Sequence, residues 1–350
     1  MNSLQKKCTV FTFLWLGVFM VQSQKVPKSY VAYQTVDTIS IDGKANEKSW
    51  KNAEWSTRFI DIEGVKEPTY KTQVKMLWDK THLYFYAEME EPHVWATLTQ
   101  RDTVIFYNND FEIFIDPDGD THEYMEFEVN ALNTVWDLFL TKPYRNHPKV
   151  IDGWDINGLQ TAVNVKGTIN NAKDTDTGWS VEIAMPWNAL LEANSKGKLP
   201  MNEFWRINFS RVNWDFDLHN GRYSRKKDKK GKFLPEYNWV WSPQGVINMH
   251  EPEHWGYVYF SEQPAGSKIS FSIPEDEYIK WFLFKKYREI RNLENKENFK
   301  VSPSNIMGKT ISPVFKEHSL GWYVQVISPF TGDVLSIRED GKFQRSRGEK

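Results

Sequence analysis

Residues 109–140 read NDFEIFIDPDGDTHEYMEFEVNALNTVWDLFL, and their apolar side chains recur at every second position. A period of two builds strands, not helices, so this segment constrains the fold more than any other. Phe111, Ile113 and Ile115 fall on one side and Glu112, Phe114 and Asp116 on the other. In the partner run, Phe127 and Val129 oppose Glu126, Glu128 and Asn130, and DPDGD between the runs supplies a turn. The segment predicts a β-hairpin with acids on the face opposite the apolar one. Like charges facing each other across strands cost roughly 0.2 to 1 kcal/mol, so Glu112, Glu126 and Glu128 need cations, ligand hydroxyls or open water. That need marks their face as a candidate site.

The first 23 residues have the make-up of a secretory signal: Lys6 and Lys7, an apolar stretch over 10–21, then Val21-Gln22-Ser23. Cleavage is expected after Ser23, leaving an exported chain in the periplasm or outside the cell. The apolar stretch falls short of the about 20 residues that span a bilayer. The single cysteine, Cys8, leaves with the signal, and with it any disulfide or thiol chemistry. A net charge of -2 argues against nucleic acid as partner, and the basic run 225–232 lies in a polar Gly and Lys loop. Sixteen Trp, 15 Tyr and 22 Phe exceed what one core of this size needs, so some are expected at a binding surface.

From 36 to 262 short alternating runs broken by turn residues predict an all-β antiparallel sandwich. Strands are expected at 38–41, 72–78, 82–89, 111–116, 123–130, 134–140, 159–168, 178–185, 204–212 and 255–260, with single helical turns at 46–52 and 186–191. Residues 263–350 change character. A helix follows Pro274, with acids leading and Lys and Arg trailing as its dipole prefers, and short strands follow near 311–316, 321–327 and 334–338. This accessory α+β appendage is expected to pack independently, so that 24–262 alone would fold and keep its ligand affinity.

Six ordered segments carry a family likeness: IDGKANEKSW, KMLWDKTHLYFYAEMEEP, DFEIFIDPDGD, GWSVEIAMPW, WRINFSRVNW and PEHWGYVYF. Over roughly 38–262 they resemble the family 9 carbohydrate-binding modules, in the free-standing exported form of the Bacteroidetes type. The resemblance implies an immunoglobulin-like β-sandwich. It also implies a glycan terminus clamped between two aromatic rings, hydrogen-bonded by acid, amide and Arg side chains, with structural calcium nearby. The first ring would fall on Phe106 or Tyr107 and the strand acid on Glu112. The family's strand Arg falls at Glu128, which reverses its charge, and the second ring falls near Met249.

From the residues themselves, Trp239 and Trp241 share one face of an extended segment and Trp255 follows a turn, so these indoles are candidates for stacking on a pyranose, with core packing as the alternative. Trp136-Asp137 and Trp154-Asp155 each pair a ring with a carboxylate, and Asn130 adds an amide to the acid face. Arg211 and the Arg101-Asp102 pair supply cations that either balance the acids or touch ligand; a charge at the end of the apolar run Trp205, Ile207, Phe209 is usually paired. Asp116, Asp118 and Asp120 have alternate spacing that calcium can use, without an EF-hand's Gly and Glu positions; Asp174 and Asp176 form a weaker second acid turn. His250 and His254 flank Glu251 and Glu253, but Pro252 disfavours the helix that a metal-binding i, i+4 pair needs.

The leading function is non-catalytic glycan binding that assists polysaccharide capture and breakdown beside separate secreted glycoside hydrolases. Two alternatives are a glycosidase drawing two carboxylates from Glu112, Glu126, Glu128 and Asp137, and a haem-b electron carrier using Met249 or His250 as axial ligand. The glycosidase requires a deep cleft to raise one carboxyl pKa, and a flat acid face is not expected to provide it.

Overall fold

The computed structural model describes residues 26–296 and 299–348. The signal-like stretch over 1–23 and its cleavage point lie outside the described residues. Two β leaves face each other, as the alternation requires. In the first leaf the strands run in the order Val150–Ile151, Val135–Leu140, Tyr124–Asn130, Asp110–Asp116 and Phe204–Asn213. Gly256–Pro264 then pairs with one half of the last strand and Tyr237–Val240 with the other. The second leaf runs Thr72–Trp78, His82–Glu90, Gly178–Pro186 and Gln160–Lys166. Phe111, Ile113, Phe127 and Val129 from the first leaf meet Val74, Phe85, Val181 and Ile183 from the second in one core.

The strand expected at 38–41 does not form; the first strand is Ser29–Gln34, which the sequence reading passed over. It pairs in parallel with Gly256–Pro264 and, through its last two residues, with Thr72–Trp78. The sandwich therefore begins before residue 36, and this strand stitches the two leaves into one continuous sheet. Its SYVAYQ alternation is short and lies beside the signal-like segment, which obscures it. Tyr237–Val240 and the hairpin Phe216–His219/Arg222–Arg225 were also passed over.

The appendage has its own core: Ile279, Leu283 and Phe284 of the helix Glu275–Arg291 pack on Val324, Leu335 and Ile337 of a four-stranded sheet. Its seam with the sandwich is polar and buried. Arg206 stacks over the Tyr257 ring at 4.0 Å and donates to the Tyr257 hydroxyl and the Trp255 carbonyl, with Glu277 of the helix 3.6 Å away. Lys280 donates to the Gly119 carbonyl. Glu253 sits between Arg145 of the sandwich at 3.1 Å and Arg288 of the helix at 2.7 Å, and Glu251 pairs with the same two arginines. Burial pushes Glu253 upward, but the two guanidiniums outweigh it and hold the carboxyl at about 2. Charges on both sides of the seam have their partners across it, which argues against the sandwich standing alone.

Candidate functional site

The core-facing residues of Asp110–Asp116 and Tyr124–Asn130 leave Asp110, Glu112, Glu126 and Glu128 on the outer face. The register sets Glu112 directly opposite Glu128 and, on its other side, Ser210. Each of the four acids is at most 6% exposed. Burial, reinforced by the neighbouring carboxylates, raises Asp110 and Glu128 well above the ordinary range; burial with Glu112 beside it does the same for Glu126. Burial pushes Glu112 up to about 7. A flat face with ordinary carboxyls was expected, and that is corrected: packing from the surrounding loops desolvates the acids.

A carboxyl raised in the folded state stabilises the fold while protonated and loses that contribution as pH rises through its folded value. His122, His250 and His254 are held neutral by burial, at about 4, 3 and 4, so their contribution is complete above 6.5 and is lost only as pH falls below it. Between pH 7 and 9 the acids alone should act. In chelator-treated buffer the melting temperature is expected to fall over this range, and Glu126→Gln to flatten the fall. A flat wild-type profile would mean that the acids already ionise at neutral pH.

Two half-exposed aromatic residues, Tyr107 and Tyr144, belong to segments that touch this face. The 3-10 turn Ile105–Tyr107 places the Phe106 amide on Glu128 at 2.9 Å, and its next residue, Tyr107, is 46% exposed. Tyr144, also 46% exposed, stacks edge-on against His250 at 4.3 Å and feels the charges of Glu126 and Glu128. Sequence reasoning missed Tyr144, which opens the short 3-10 turn Tyr144–Asn146. It stands beside the Met249-His250 segment, where the resemblance placed a second ring; Met249 itself is buried. Trp136 is partly buried opposite Glu128, and its indole N–H has no partner.

Other candidates are corrected. Trp239 pairs with Arg211, the Trp241 amide donates to the Phe209 carbonyl, and both indoles are buried in the sandwich core. Trp255 is buried against Phe114 and Tyr124. Asp137 faces the opposite side from Trp136, paired with Arg101 and accepting from the Ile156 amide, because adjacent strand residues alternate faces. Asn130 is consumed by its own turn, accepting from Leu132 and Thr134 and donating to the Leu98 carbonyl. His250 is partly buried and bonded to the Tyr124 hydroxyl. Arg211 is fully buried, 2.8 Å from Glu91 and beneath the Trp239 ring at 5.0 Å, so it is paired internally. Asp116, Asp118 and Asp120 each bring a carboxylate oxygen within 4.8 Å of the others, a spacing that a cation could use. The two Asp116 oxygens accept from the Gly119 and Thr121 amides, while Lys280 donates to the Gly119 carbonyl and Lys342 lies 3.0 Å from Asp120, so the appendage supplies the positive charge.

A cleft of about 650 Å³ lies elsewhere, between Arg101, Asn133, Asp155 and Thr161, with no aromatic side chain in its lining. No helix among the described residues is long and apolar enough to cross a membrane.

The sequence matches the carbohydrate family 9 binding domain-like family over residues 41–222, more than half of the 350-residue chain, and the chain belongs to that family. Membership assigns it to the carbohydrate-binding proteins. Among solved structures it is similar to a family 9 carbohydrate-binding module from Caldicellulosiruptor kristjanssonii in complex with cellotriose, at 17% identity and TM-score 0.43 over 70% of this chain and 100% of that one. A Bacteroides uniformis protein described as carbohydrate-binding is similar at 16% identity and TM-score 0.49, over 67% of this chain and 100% of that one. No curated protein matches the chain.

Proposed function

We propose that this is an exported, non-catalytic glycan-binding protein whose ligand lies on the outer face of the first leaf, between Tyr107 and Tyr144 and above the acids. The observation that carries this reading is a desolvated acid face, in a carbohydrate-binding fold, touched by segments that carry the half-exposed Tyr107 and Tyr144. A sugar ring offers C–H faces to such aromatics and hydroxyls to the groups between them. Export is supported by the signal-like first 23 residues, and a role in polysaccharide capture beside secreted glycoside hydrolases follows from export together with family. The acids are too deeply covered to reach both sides of a glycosidic bond, which disfavours hydrolysis.

Tyr107→Ala and Tyr144→Ala are each expected to weaken glycan affinity at least tenfold, about 1.4 kcal/mol, with far-UV spectra unchanged because both rings are half outside the fold. Calorimetry with a bound oligosaccharide checks this. Full affinity in both variants would remove the ligand from this face.

A further inference from the structure

The acid face poses a charge problem that the polypeptide does not solve. Oxygens of Asp110, Glu112 and Glu128, one from each residue, lie within 4.8 Å of one another, and all three residues are buried. Among the described residues none of the three forms an ion pair. The two arginines of the Phe204–Asn213 strand that could have served are engaged elsewhere: Arg206 at the appendage seam and Arg211 in the interior with Glu91. His250 lies 3.9 Å from Glu126 and is held neutral by burial.

A further polar atom is orphaned there. Asp110 is fully buried, and while its Oδ1 accepts from the Val212 amide, its Oδ2 has no partner. Ser210 is fully buried on the same face, opposite Glu112, and its hydroxyl pulls the Glu112 carboxyl down against the effect of burial. Buried oxygens without donors are costly to leave unmatched. This set is all oxygen, three of its four groups being carboxyls that a bound cation would ionise, the chemistry of a hard divalent cation. Calcium–oxygen distances of about 2.3 to 2.6 Å let two oxygens on one ion stand up to roughly 5 Å apart, so the cluster can close on calcium with little movement.

We propose that Asp110, Glu112 and Glu128 form a calcium site, with the Ser210 hydroxyl completing its inner side. This site is distinct from the 116–120 loop and stands on the cluster's geometry whether or not glycan binds above it. Trp136 lies across from Glu128 and should act as antenna for a lanthanide held there.

The test uses the mature chain, 24–350, stripped with chelator and titrated with terbium and then calcium. Excitation of tryptophan is expected to give saturable terbium luminescence that calcium displaces, and calcium should raise the melting temperature. Glu112→Gln/Glu128→Gln, which keeps side-chain volume and removes two charges, should fold and lose at least tenfold in calcium affinity by calorimetry. Asp110→Asn should lose affinity in the same direction, and Asp118→Asn should retain it. The proposal is overturned if wild type gives neither calcium heat nor a thermal shift, if the double Gln variant binds as wild type does, or if only Asp118→Asn abolishes binding.

Discussion

A mature chain ending at Glu262 is expected to be insoluble or to melt without a cooperative transition, and to bind a dye for exposed apolar surface. Truncation there removes Glu277 from Arg206 and Arg288 from Glu251 and Glu253, while Arg206 and Glu253 are each 1% exposed. It also uncovers the Tyr257 ring, which the helix covers with Trp281. Within the full chain, Glu253→Ala removes the nearer of Arg145's two carboxylates, at 3.1 Å, and leaves it only Glu251 at 3.5 Å. Breaking a buried pair from one side costs about 3 to 5 kcal/mol, and urea unfolding of this variant should show a loss of that order. Cooperative melting of the truncated chain at the wild-type temperature would mean that the seam contributes nothing to the sandwich.

Arg211→Leu should be comparably damaging, for an unrelated reason. Arg211 donates to Glu91, Thr72 and Asn213 inside the sandwich. Burial already raises Glu91, and Arg211 is the chief influence holding it down. Without Arg211 the carboxylate is left buried and uncompensated, again a loss of about 3 to 5 kcal/mol. Adding Glu91→Gln to Arg211→Leu should recover much of it, because the stranded charge is gone. Glycan affinity of the folded variant should be unchanged. Wild-type stability with lost affinity would instead make Arg211 a ligand contact.

Strands of both the sandwich and the appendage were legible because their alternation is long and clean. Thr72–Trp78, Gly321–Ile327 and Val334–Arg338 match their expected spans residue for residue, and Asp110–Asp116 differs by one. Ser29–Gln34 was not legible, since six residues beside an apolar leader carry little periodic signal. The acid face was legible for the same reason as the hairpin: Glu112, Glu126 and Glu128 share a parity. What covers that face was not, because Tyr107, Tyr144 and His250 come from irregular segments whose placement depends on the tertiary fold. Trp239 and Trp241 were correctly put on one face of a strand, yet a period-two pattern does not say which face is inside. Arg211 shows the same ambiguity from the other side, as a charge in an apolar register whose partner, Glu91, lies 120 residues away in sequence.

The central claim is that this chain binds carbohydrate on the acid face between Tyr107 and Tyr144. The most direct measurement applies the mature protein to an array of plant and host glycans, with Tyr144→Ala in parallel. The account predicts discrete glycan hits for wild type that fall at least tenfold in the variant while its melting curve stays cooperative. No glycan retained by wild type, or an identical pattern and strength in the variant, would contradict it.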